Sequence, residues 1–423
     1  MLEIQRIRNE KDAIAAGLKK RNLDALPVLD EILEVDAQWR SLKGELDQLG
    51  AESNKLAKEI GGLFKEGKVE EANAAKSKTA EIKSREQEVK QKVADLEQQI
   101  TELLYTLPNV PKEIVPAGSS ENDNEVVEEV GSKADIAENA LPHWELTEKY
   151  GLIDFELGVK VTGSGFPIYK GKGAKLQRAL INFFLAEAER GGYEEFIPPL
   201  VVNEASGYGT GQLPDKEGQM YHVGVDDLYL IPTAEVPLTN MYRDVILPTE
   251  DFSVKITGYT PCFRREAGSY GKDVRGLNRL HQFDKVELVR IEHPDRSDAA
   301  LTDMVNHVKG LLEKLGLHYR ILRLCGGDLG FTSAITYDFE VYSAAQGRWL
   351  EVSSVSNFET FQANRLKLRY KSADKKTQLC HTLNGSALAL PRIMAALLEN
   401  NQTENGIIIP EVLHSFTGFD RID

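Results

Sequence analysis

The stretch CFRREAGSYGKDVRGLNRLHQFDKVE, residues 262–287, combines basic side chains, glycines and a strand-like pattern. The basic residues that stand among its glycines are Arg264, Arg265, Lys272, Arg275 and Arg279. Its last residues alternate between apolar and charged side chains, which is typical of a half-buried β-strand. Cations clustered beside a strand predict an anion-binding site, and the rest of the chain must indicate which anion it binds.

The overall charge of the chain limits the kind of anion site that this stretch can form. The 423 residues include 51 Lys plus Arg and 66 Asp plus Glu, which gives a formal net charge of -15. A chain this acidic has no general electrostatic attraction to nucleic acid, so the anion site must be local. The length exceeds what one hydrophobic core usually organises, and we expect two or three domains.

The cysteines indicate a reducing compartment, and the hydropathy pattern argues against a membrane segment. Cys262, Cys325 and Cys380 lie far apart and form no C-x-x-C pair, which argues against a disulfide framework and against a structural zinc site. No long uncharged apolar run occurs, and the first ten residues, MLEIQRIRNE, carry a charge within three positions. We therefore expect neither a membrane span nor a signal peptide, and we expect a cytoplasmic protein.

Apolar residues in the first hundred positions repeat alternately four and three apart, which is the pattern of a heptad seam. The first seam consists of Val35, Trp39, Leu42, Leu46, Leu49, Ser53, Leu56, Ile60 and Leu63. After a break at residues 61–70, a second seam consists of Ala72, Ala75, Thr79, Ile82, Glu86, Val89, Val93, Leu96, Ile100 and Leu103. Two long helices joined by a short turn predict an antiparallel hairpin, in which each helix is roughly 50 to 60 Å long.

This hairpin is the least acidic part of the chain. Residues 40–92 hold 12 Lys plus Arg and 10 Asp plus Glu, a net charge of +2. The lysines nearest the predicted turn are Lys55, Lys58, Lys65, Lys68, Lys76 and Lys78. They could bind phosphates with release of counterions, or they could be the solvated faces of a coiled coil. Composition alone leaves both interpretations open.

A segment rich in proline and acidic residues separates the hairpin from the rest of the chain. LPNVP at 107–111 stops the second helix, and the polar residues after it predict a linker over 111–140. Beyond it, short strands follow one another with few crossover helices, which favours an antiparallel α+β domain flanked by helices. The chain has no G-x-x-x-x-G-K-[ST] sequence, which excludes a P-loop. The predicted domains are 1–110, 111–140 and 141–423.

The basic stretch resembles the second signature of class II aminoacyl-tRNA synthetases. The matching residues are Phe263, Arg264 and Glu266 before a variable loop, and Arg279 and Phe283 after it. The resemblance implies a class II catalytic domain that uses ATP, in which the anion is a nucleotide phosphate.

Other segments resemble the same class in the expected order. GGYEEFIPPLVV at 191–202 resembles the first signature, and NGSALALPRIMAALLEN at 384–400, with Arg392 opening a helix, resembles the third. Within the class, IPTAEVPLTN at 231–240, EVSSVSNFETFQANR at 351–365 and the N-terminal hairpin are similar to bacterial-type seryl-tRNA synthetases. The resemblance covers nearly the whole chain.

The resemblance implies a nucleotide site and names its residues. Those assigned to ATP are Arg264, Arg265, Glu266, Leu280, Phe283, Glu351, Val352, Ser353, Ser354 and Arg392. Arg264 is the candidate for the α-phosphate, because activation of an amino acid needs a cation there and a guanidinium gives bidentate contact with permanent charge. Phe283 would stack on adenine, and Arg392 would bind the γ-phosphate. Two alternatives stay open: Arg264 could pair with Glu266 on a strand surface, and Phe283 could be a core residue.

The resemblance also implies a magnesium site and a serine site. Glu351 and Ser354 would ligate the Mg²⁺ that bridges ATP phosphates, and their oxygen atoms suit that ion. With Arg264 and Arg392, Glu351 completes the catalytic set. The residues assigned to serine are Thr233, Ala234, Glu235, Glu287 and Ser386. A buried Glu287 would be costly without partners, so it faces solvent, pairs with a base, or waits for a ligand. Four residues separate it from Phe283, so a regular strand puts both on one side.

The third signature departs from the class pattern. Ala387, Ala389 and Pro391 replace glycines that are common there, but a proline suits the first turn of a helix and is compatible with Arg392. The histidines show no triad-like or metal-ligand spacing, and we expect structural roles for all of them. They are His143, His222, His281, His293, His307, His318, His381 and His414.

The resemblance implies an enzyme that forms seryl-adenylate from serine and ATP and passes the seryl group to the terminal adenosine of tRNA(Ser), with tRNA(Sec) as an open second substrate. It also implies a homodimer with its interface at the first signature. Two alternatives remain: a related enzyme that charges a carrier other than tRNA, and an inactive coiled-coil adaptor. The intact hairpin argues against the first, and retention of Arg264, Glu351 and Arg392 argues against the second.

Overall fold

The computed structural model describes residues 1–215, 218–266 and 275–423, so Lys272 of the basic stretch lies outside the described residues. The chain divides into two compact units. The helical unit contains Leu2–Lys19 and Leu23–Pro108. The larger unit contains Met1, Lys20–Asn22 and Asn109–Asp423.

The secondary structure of the described residues is helical at the N-terminal end and mixed thereafter. The α-helices are α1 (Ile4–Lys19), α2 (Leu26–Lys65), α3 (Val69–Thr106), α4 (His143–Lys149), α5 (Phe155–Val161), α6 (Gly171–Arg190), α7 (Glu204–Thr210), α8 (Glu235–Asn240), α9 (Ser297–Lys314), α10 (Thr360–Leu366), α11 (Leu390–Asn400) and α12 (His414–Thr417). The strands are β1 (Glu125–Val130), β2 (Ile153–Asp154), β3 (Ile168–Tyr169), β4 (Glu194–Glu195), β5 (Val201–Asn203), β6 (His222–Val223), β7 (Leu228–Leu230), β8 (Ile246–Leu247), β9 (Ser253–Phe263), β10 (Gln282–Glu292), β11 (Tyr319–Arg323), β12 (Ile335–Ser343), β13 (Arg348–Glu359), β14 (Arg369–Lys371), β15 (Thr377–Leu379), β16 (His381–Ala389), β17 (Gln402–Thr403), β18 (Gly406–Ile408) and β19 (Arg421–Ile422).

The helical unit confirms the prediction of two long helices joined by a short turn. Helix α2 has 40 residues and begins with a proline in its first turn, a position where the missing N–H costs nothing. The turn to α3 occupies residues 66–68, and Gly67 adopts a φ of 74° that favours glycine. Ion pairs join Glu45 to Arg85 and Glu52 to Lys78. Seven residues forward on α2 correspond to seven residues back on α3, so the two helices are antiparallel.

The seam that the heptad pattern predicts is the contact between α2 and α3. Its buried members are Val35, Leu56, Ala72, Ile82, Val89 and Val93. The remaining seam residues are half-buried, because a pair of helices leaves one side of each seam open to water.

A buried carboxylate lies near the start of α2. Asp36 accepts two hydrogen bonds from Arg8 of α1, at 2.8 and 2.6 Å, and one from Arg40, at 3.0 Å. Burial alone would raise the pKa of Asp36, but the hydrogen bonds and charges of these two arginines hold it below its ordinary value. This three-residue cluster joins α1 to α2.

Eight strands form the main sheet of the larger unit, in the order β1-β11-β12-β13-β16-β10-β9-β4. Neighbouring strands are antiparallel except for β4 and β9, which are parallel. The predicted antiparallel α+β fold is therefore confirmed. One edge strand, β1, comes from the segment 111–140 that the sequence predicts as a linker, and its valines give it the β-branched composition of a strand.

Helices α6, α9 and α11 pack against strands of this sheet and enclose its core. Along α6, Leu176, Leu180, Phe183 and Phe184 are buried at helical spacing, so one face of the helix is apolar. Helix α11 follows β16 directly and contacts β10, β12, β13 and β16. Pro391 lies in its first turn, as that position favours. Among the described residues, no helix combines the length and the hydropathy that crossing a bilayer requires.

We expect Asp36→Asn to lower the free energy of unfolding at neutral pH by about 2 kcal/mol, because two arginines lose a buried anionic partner. The folded-state pKa of Asp36 lies below its ordinary value of 3.8, so its contribution is present above that value and is lost as the pH falls through the folded-state pKa. Urea denaturation followed by circular dichroism at pH 7 and at pH 3 measures both effects. The control is Asp30→Asn, which removes an exposed ion pair with Lys11 and should change stability little. Equal effects of the two substitutions would contradict the role of burial.

Candidate active site

The strand order β13-β16-β10-β9 brings the signature-bearing stretches side by side. Glu287 of β10 stands opposite Ser386 of β16. On its other edge, β10 pairs with β9, so that Phe283 stands opposite Cys262. Strand β13, which begins close to Glu351, pairs with β16 as well. Glu287 and Ser386, which are 99 positions apart in sequence, thus lie on adjacent strands.

Glu287 is a carboxylate with no exposed surface. Its Oε2 atom accepts a hydrogen bond from the Thr233 hydroxyl at 3.0 Å and pairs with the Lys285 ammonium at 2.5 Å. Its Oε1 atom is buried and has no hydrogen-bond partner among the described residues. Of the three possibilities for Glu287, exposure to solvent is wrong, pairing with a base is confirmed, and one oxygen remains available to a donor.

Lys285 is a residue of this site that the sequence analysis did not assign. Its side chain is almost completely buried, and it lies two positions before Glu287, so regular alternation puts both on the same face of β10. The DKVE sequence indicates this ion pair, because a lysine and a glutamate two positions apart on a buried strand are costly to bury unless they pair.

Glu235 is a second buried carboxylate, at the first position of α8 and directly after buried Ala234. Burial and then the negative charge of Glu287 raise the pKa of Glu235 to about 7. Its Oε1 accepts a hydrogen bond from the Gln362 amide at 2.7 Å. Gln362 of α10 in turn accepts a hydrogen bond from Thr382 of β16 at 2.8 Å. Gln362 was not predicted, since it meets Glu235 across 127 positions of sequence.

Arg264 lies just beyond the end of β9, and its guanidinium is 5.2 Å from the centre of the Phe283 ring. The alternative pairing of Arg264 with Glu266 is wrong, because Glu266 pairs with Arg279 at 3.2 Å. Phe283 is half-buried and packs against the core. The ring and the guanidinium therefore form a partly exposed surface of aromatic and cationic character.

A cavity of about 270 Å³ is lined by His281, whose carbonyl oxygen accepts a hydrogen bond from the backbone N–H of Arg264 at 2.9 Å. Its wall contains Glu266, Arg279 and Leu280, together with His281 and Phe166. Two of these, Glu266 and Leu280, are residues that the resemblance assigns to ATP. Arg265 is exposed, with its guanidinium 5.6 Å from the ring centre of Tyr221.

Arg392 of the third signature joins the other end of the same region. Its Nε donates to the Asn278 carbonyl oxygen at 3.0 Å, and its NH1 donates to the Glu351 carbonyl oxygen at 2.7 Å. The Glu351 carboxylate is 3.5 Å from the same NH1. Two of the three predicted catalytic residues, Arg392 and Glu351, are therefore in direct contact, while Arg264 lies beside Phe283.

A β-bulge determines which face Glu351 and Ser354 occupy. The two residues are three positions apart, so on a regular strand their side chains would point to opposite faces. In the structure Glu351 stands opposite Glu340 and Ser354 stands opposite Asp338, so Val352 is the extra residue of a bulge. Asp338 and Glu340 are two positions apart and therefore share one face of β12. Their partners Ser354 and Glu351 share that face too. The buried Ser353 points elsewhere and donates to the Ser386 carbonyl oxygen at 2.7 Å.

Asp338 adds an acidic group that the sequence analysis missed. Burial and then the charge of Glu351 raise its pKa well above the ordinary value, while a hydrogen bond from Ser354 acts in the opposite direction. Its Oδ1 is buried without a hydrogen-bond partner in the described ranges. A cation beside these oxygens would relieve that electrostatic cost. The only sequence signal is its position two residues before Glu340 in an alternating strand.

The lysines predicted for the tip of the hairpin are all exposed. Lys78 pairs with Glu52, and Lys68 pairs with Glu66. The ammonium of Lys76 lies 4.6 Å from the centre of the Phe64 ring. Exposure is compatible with phosphate contact and with a solvated coiled coil, so the structure alone leaves both interpretations open.

Two family descriptions match the two parts of the chain. Residues 1–111 match the family described as seryl-tRNA synthetase N-terminal domain. Residues 221–401 match the family described as tRNA synthetase class II core domain (G, H, P, S and T).

Similar proteins extend over the full length of the chain. The serine–tRNA ligase of Salinibacter ruber is 52% identical, over 100% of this chain and 99% of that protein. The crystal structure of seryl-tRNA synthetase from Pyrococcus horikoshii complexed with ATP has a TM-score of 0.91 and 36% identity, with 100% of this chain and 99% of that chain covered. Cytoplasmic serine–tRNA ligase from Naegleria fowleri in complex with AMP has a TM-score of 0.87 and 25% identity at the same coverage. This chain belongs to the serine–tRNA ligase family of class II aminoacyl-tRNA synthetases.

Proposed function

We propose that this chain condenses serine with ATP to seryl-adenylate and pyrophosphate, and then transfers the seryl group to the 3'-terminal adenosine of tRNA(Ser). The observation that carries the proposal is Glu287, whose buried Oε1 has no donor among the described residues. A buried acceptor left without a donor costs free energy, and a bound serine would supply a hydroxyl or an ammonium. Membership in the family, established over the full length, supports the reaction.

The proposed serine pocket is built from Thr233, Ala234, Glu235, Glu287 and Ser386. Lys285 and Thr233 occupy one oxygen of Glu287, and this leaves the other oxygen as the acceptor for the substrate. Glu235, when ionised, adds a second negative charge that would attract the α-ammonium group. Alanine lacks the hydroxyl, so it would leave a buried polar group unpaired, and such sites can discriminate by roughly ten-thousandfold.

ATP would lie along the second and third signatures. Phe283 would stack on adenine, Leu280, Arg265 and Glu266 would surround the nucleotide, and Arg264 would bind the α-phosphate. As the serine carboxylate attacks that phosphorus, negative charge moves onto oxygens that a bidentate guanidinium can follow. Arg392 would bind the γ-phosphate, since no described residue accepts a hydrogen bond from its NH2.

The residues on the Glu351 face fit a magnesium ion. Glu351 and Ser354 offer hard oxygen ligands, and the Oδ1 of Asp338 is a buried oxygen without a partner among the described residues. Among the residues that the structure describes, no group of three or more His, Cys, Asp or Glu is arranged to hold a metal. Phosphates and water would therefore complete the coordination. Bound there, Mg²⁺ would neutralise charge on the ATP phosphates.

The second step needs no protein nucleophile. The seryl-adenylate is already activated, and a ribose hydroxyl of the terminal adenosine would attack its carbonyl carbon while AMP leaves. The side chains described here would orient the adenylate and exclude water from it.

We infer that the chain forms a homodimer through the segment that resembles the first signature. Ile197 is 89% exposed, and Leu200 and Val201 are exposed as well. Apolar residues grouped on a surface mark interaction sites, and a second copy of this segment would cover them.

We assign tRNA binding to the lysines of the hairpin, Lys55, Lys58, Lys65, Lys68, Lys76 and Lys78, within a tRNA-binding region 1–110 joined through 111–140 to the catalytic region 141–423. The net charge of +2 over residues 40–92, in a chain of -15, supports this assignment. We propose a cytoplasmic location, because charging of tRNA serves translation. Charging of tRNA(Sec) is a further reaction that an aminoacylation assay with that tRNA would test.

Two assays test the proposed function directly. Serine-dependent exchange of labelled pyrophosphate into ATP reports adenylate formation, and attachment of labelled serine to tRNA(Ser) reports transfer. We expect both activities. A related enzyme that charges another carrier would catalyse exchange without charging tRNA, and an inactive adaptor would do neither.

We expect Glu287→Ala to lower kcat/KM for serine in pyrophosphate exchange by at least about a hundredfold and to reduce the serine-to-alanine ratio by a similar factor, because the hydroxyl loses its acceptor. Glu287→Gln retains the shape of the side chain, so its kcat/KM for serine and its serine-to-alanine ratio should lie between those of the unmodified protein and Glu287→Ala. Exchange with serine, alanine and threonine measures these ratios, and Glu404→Ala, at an exposed carboxylate, is the control. A Glu287→Ala protein with the wild-type ratio would move the role to Ser386 or Glu235.

We expect serine affinity to rise about tenfold between pH 6 and pH 8. With a pKa of about 7, Glu235 changes over this range from mostly protonated to mostly ionised, and only the carboxylate attracts the α-ammonium. Calorimetric titration with serine at constant ionic strength measures the profile. Glu235→Gln should bind serine weakly with a flat profile. A flat profile in the unmodified protein would show that Glu235 does not contact the ammonium.

We expect replacement of Lys55, Lys58 and Lys65 by glutamine to leave pyrophosphate exchange unchanged and to weaken tRNA binding. Each lost phosphate contact should reduce the slope of log affinity against log salt by up to about one. Filter binding at several salt concentrations measures the slope. The control replaces three exposed lysines of the larger unit, Lys371, Lys375 and Lys376. If both triple variants behave alike, the hairpin lysines do not contact the tRNA.

A further inference from the structure

His143 is a completely buried histidine outside the residues assigned so far, at the first position of α4. Its Nε2 accepts a hydrogen bond from the backbone N–H of Leu277 at 2.8 Å. A peptide N–H can only donate, so Nε2 carries no proton and the proton of the neutral ring is on Nδ1. That Nδ1–H donates to Oε1 of Glu399 at 2.6 Å. The two partners of the ring therefore fix its tautomer and its orientation.

Glu399 is also completely buried, and the donors to its side chain come from two segments, His143 at the start of α4 and residues 343–346 at the end of β12 and after it. Its Oε1 accepts from the backbone N–H of His143 at 2.8 Å and from the Gln346 amide at 2.9 Å. Its Oε2 accepts from the Ser343 hydroxyl. These hydrogen bonds hold the Glu399 carboxylate in one orientation. Oε1 accepts from His143 and Gln346, and Oε2 accepts from Ser343 at the buried end of β12.

From this anchor the hydrogen bonds lead back to Arg392. Gln346 accepts from the Asn278 side chain at 3.1 Å, and the Asn278 carbonyl oxygen accepts from Nε of Arg392 at 3.0 Å. Arg392 and Glu399 both lie on α11, seven residues or about two turns apart. The connections thus form a closed ring that begins and ends on one helix.

Residues 277 and 278 are held from two sides in this ring. His143 binds the Leu277 N–H, and Gln346 binds the Asn278 side chain. Gly276 precedes them with a φ of 60°, and a Cβ atom there would lie 2.3 Å from Nε2 of His143. The close approach of the backbone to the imidazole therefore requires glycine at this position.

We propose that His143 is a positioning residue for ATP binding: by holding Leu277 and Asn278, it orients the Asn278 carbonyl that fixes the guanidinium of Arg392. The inference rests on the proposed contact between Arg392 and ATP. Because Nε and NH1 of Arg392 are bound by protein oxygens, the direction of the remaining NH2 depends on where the Asn278 carbonyl lies. Displacement of Asn278 would misdirect a planar, bidentate group, and such a group tolerates little misalignment.

Two substitutions separate the two nitrogen atoms of the ring. The amide nitrogen of His143→Asn can replace Nδ1 and keep the donor to Glu399, but it leaves the Leu277 N–H without an acceptor. The amide oxygen of His143→Gln can replace Nε2 and keep the acceptor for Leu277, but it loses the donor to Glu399. We expect His143→Asn to raise the KM for ATP in pyrophosphate exchange about tenfold with the KM for serine nearly unchanged, and His143→Gln to restore most of the ATP affinity.

The controls separate this inference from the proposed function. Arg392→Ala should itself raise the KM for ATP, and if it does not, the proposed role of Arg392 fails. If it does, His143→Asn added to Arg392→Ala should have little further effect, because the two act through one contact. If His143 were purely structural, His143→Asn and His143→Gln would lose activity equally, in kcat and in the KM values for ATP and serine. That result would overturn the proposal.

A second variant covers the case in which His143→Asn does not fold. Gln346→Leu removes the acceptor of the Asn278 side chain and one donor to Glu399. The position is half-buried and Glu399 keeps its donors from His143 and Ser343, so folding should tolerate the change. It should raise the KM for ATP selectively, by a smaller factor than His143→Asn. An unchanged KM for ATP in folded Gln346→Leu protein would also overturn the proposal.

Discussion

The ion pair between Lys285 and Glu287 is the interaction on which the arrangement of the proposed site depends. Both side chains are buried on β10, and two charges removed from water must meet in good geometry if the fold is to tolerate them. The flanking strands β9 and β16 supply that geometry, because they fix β10 along both edges. One oxygen of Glu287 is thereby bound by Lys285 and Thr233, and the other is buried without a hydrogen-bond partner among the described residues.

Much of the fold could be predicted because it rests on local periodicity. The seams of α2 and α3 show the heptad spacing directly, and the alternating runs that became β9, β10, β12 and β13 lie close to one another in the chain. Pro391 marks the start of α11. Strand β1 was assigned to a linker instead, because an acidic, exposed edge strand buries too little apolar surface to look like a strand.

The candidate site was predictable where it depends on recognisable segments, and less so where it depends on long-range contacts. The pairing of Arg264 with Glu266 assumed that alternation continues past Phe263, but β9 ends there and Glu266 adopts a positive φ of 47°. The sequence analysis does not assign Gln362 and Asp338, because their partners are 13 to 127 positions away. Spacing within a segment carries no information about which buried groups face each other across a sheet.

The placement of charges along β10 accounts for how an acidic chain could bind two substrates of different charge. At the Phe283 end stands the guanidinium of Arg264, and Glu287 stands four residues later, about 13 Å along the strand. Glu235 of α8 lies near enough to Glu287 for that charge to raise its pKa. Under the proposed assignment, a zwitterionic serine between them would turn its ammonium toward the carboxylates and its own carboxylate toward the arginine and the α-phosphate. That orientation is the one in which the carboxylate can attack phosphorus. The net charge of -15 does not oppose it, because exposed charges are screened within about 10 Å while these groups act at contact.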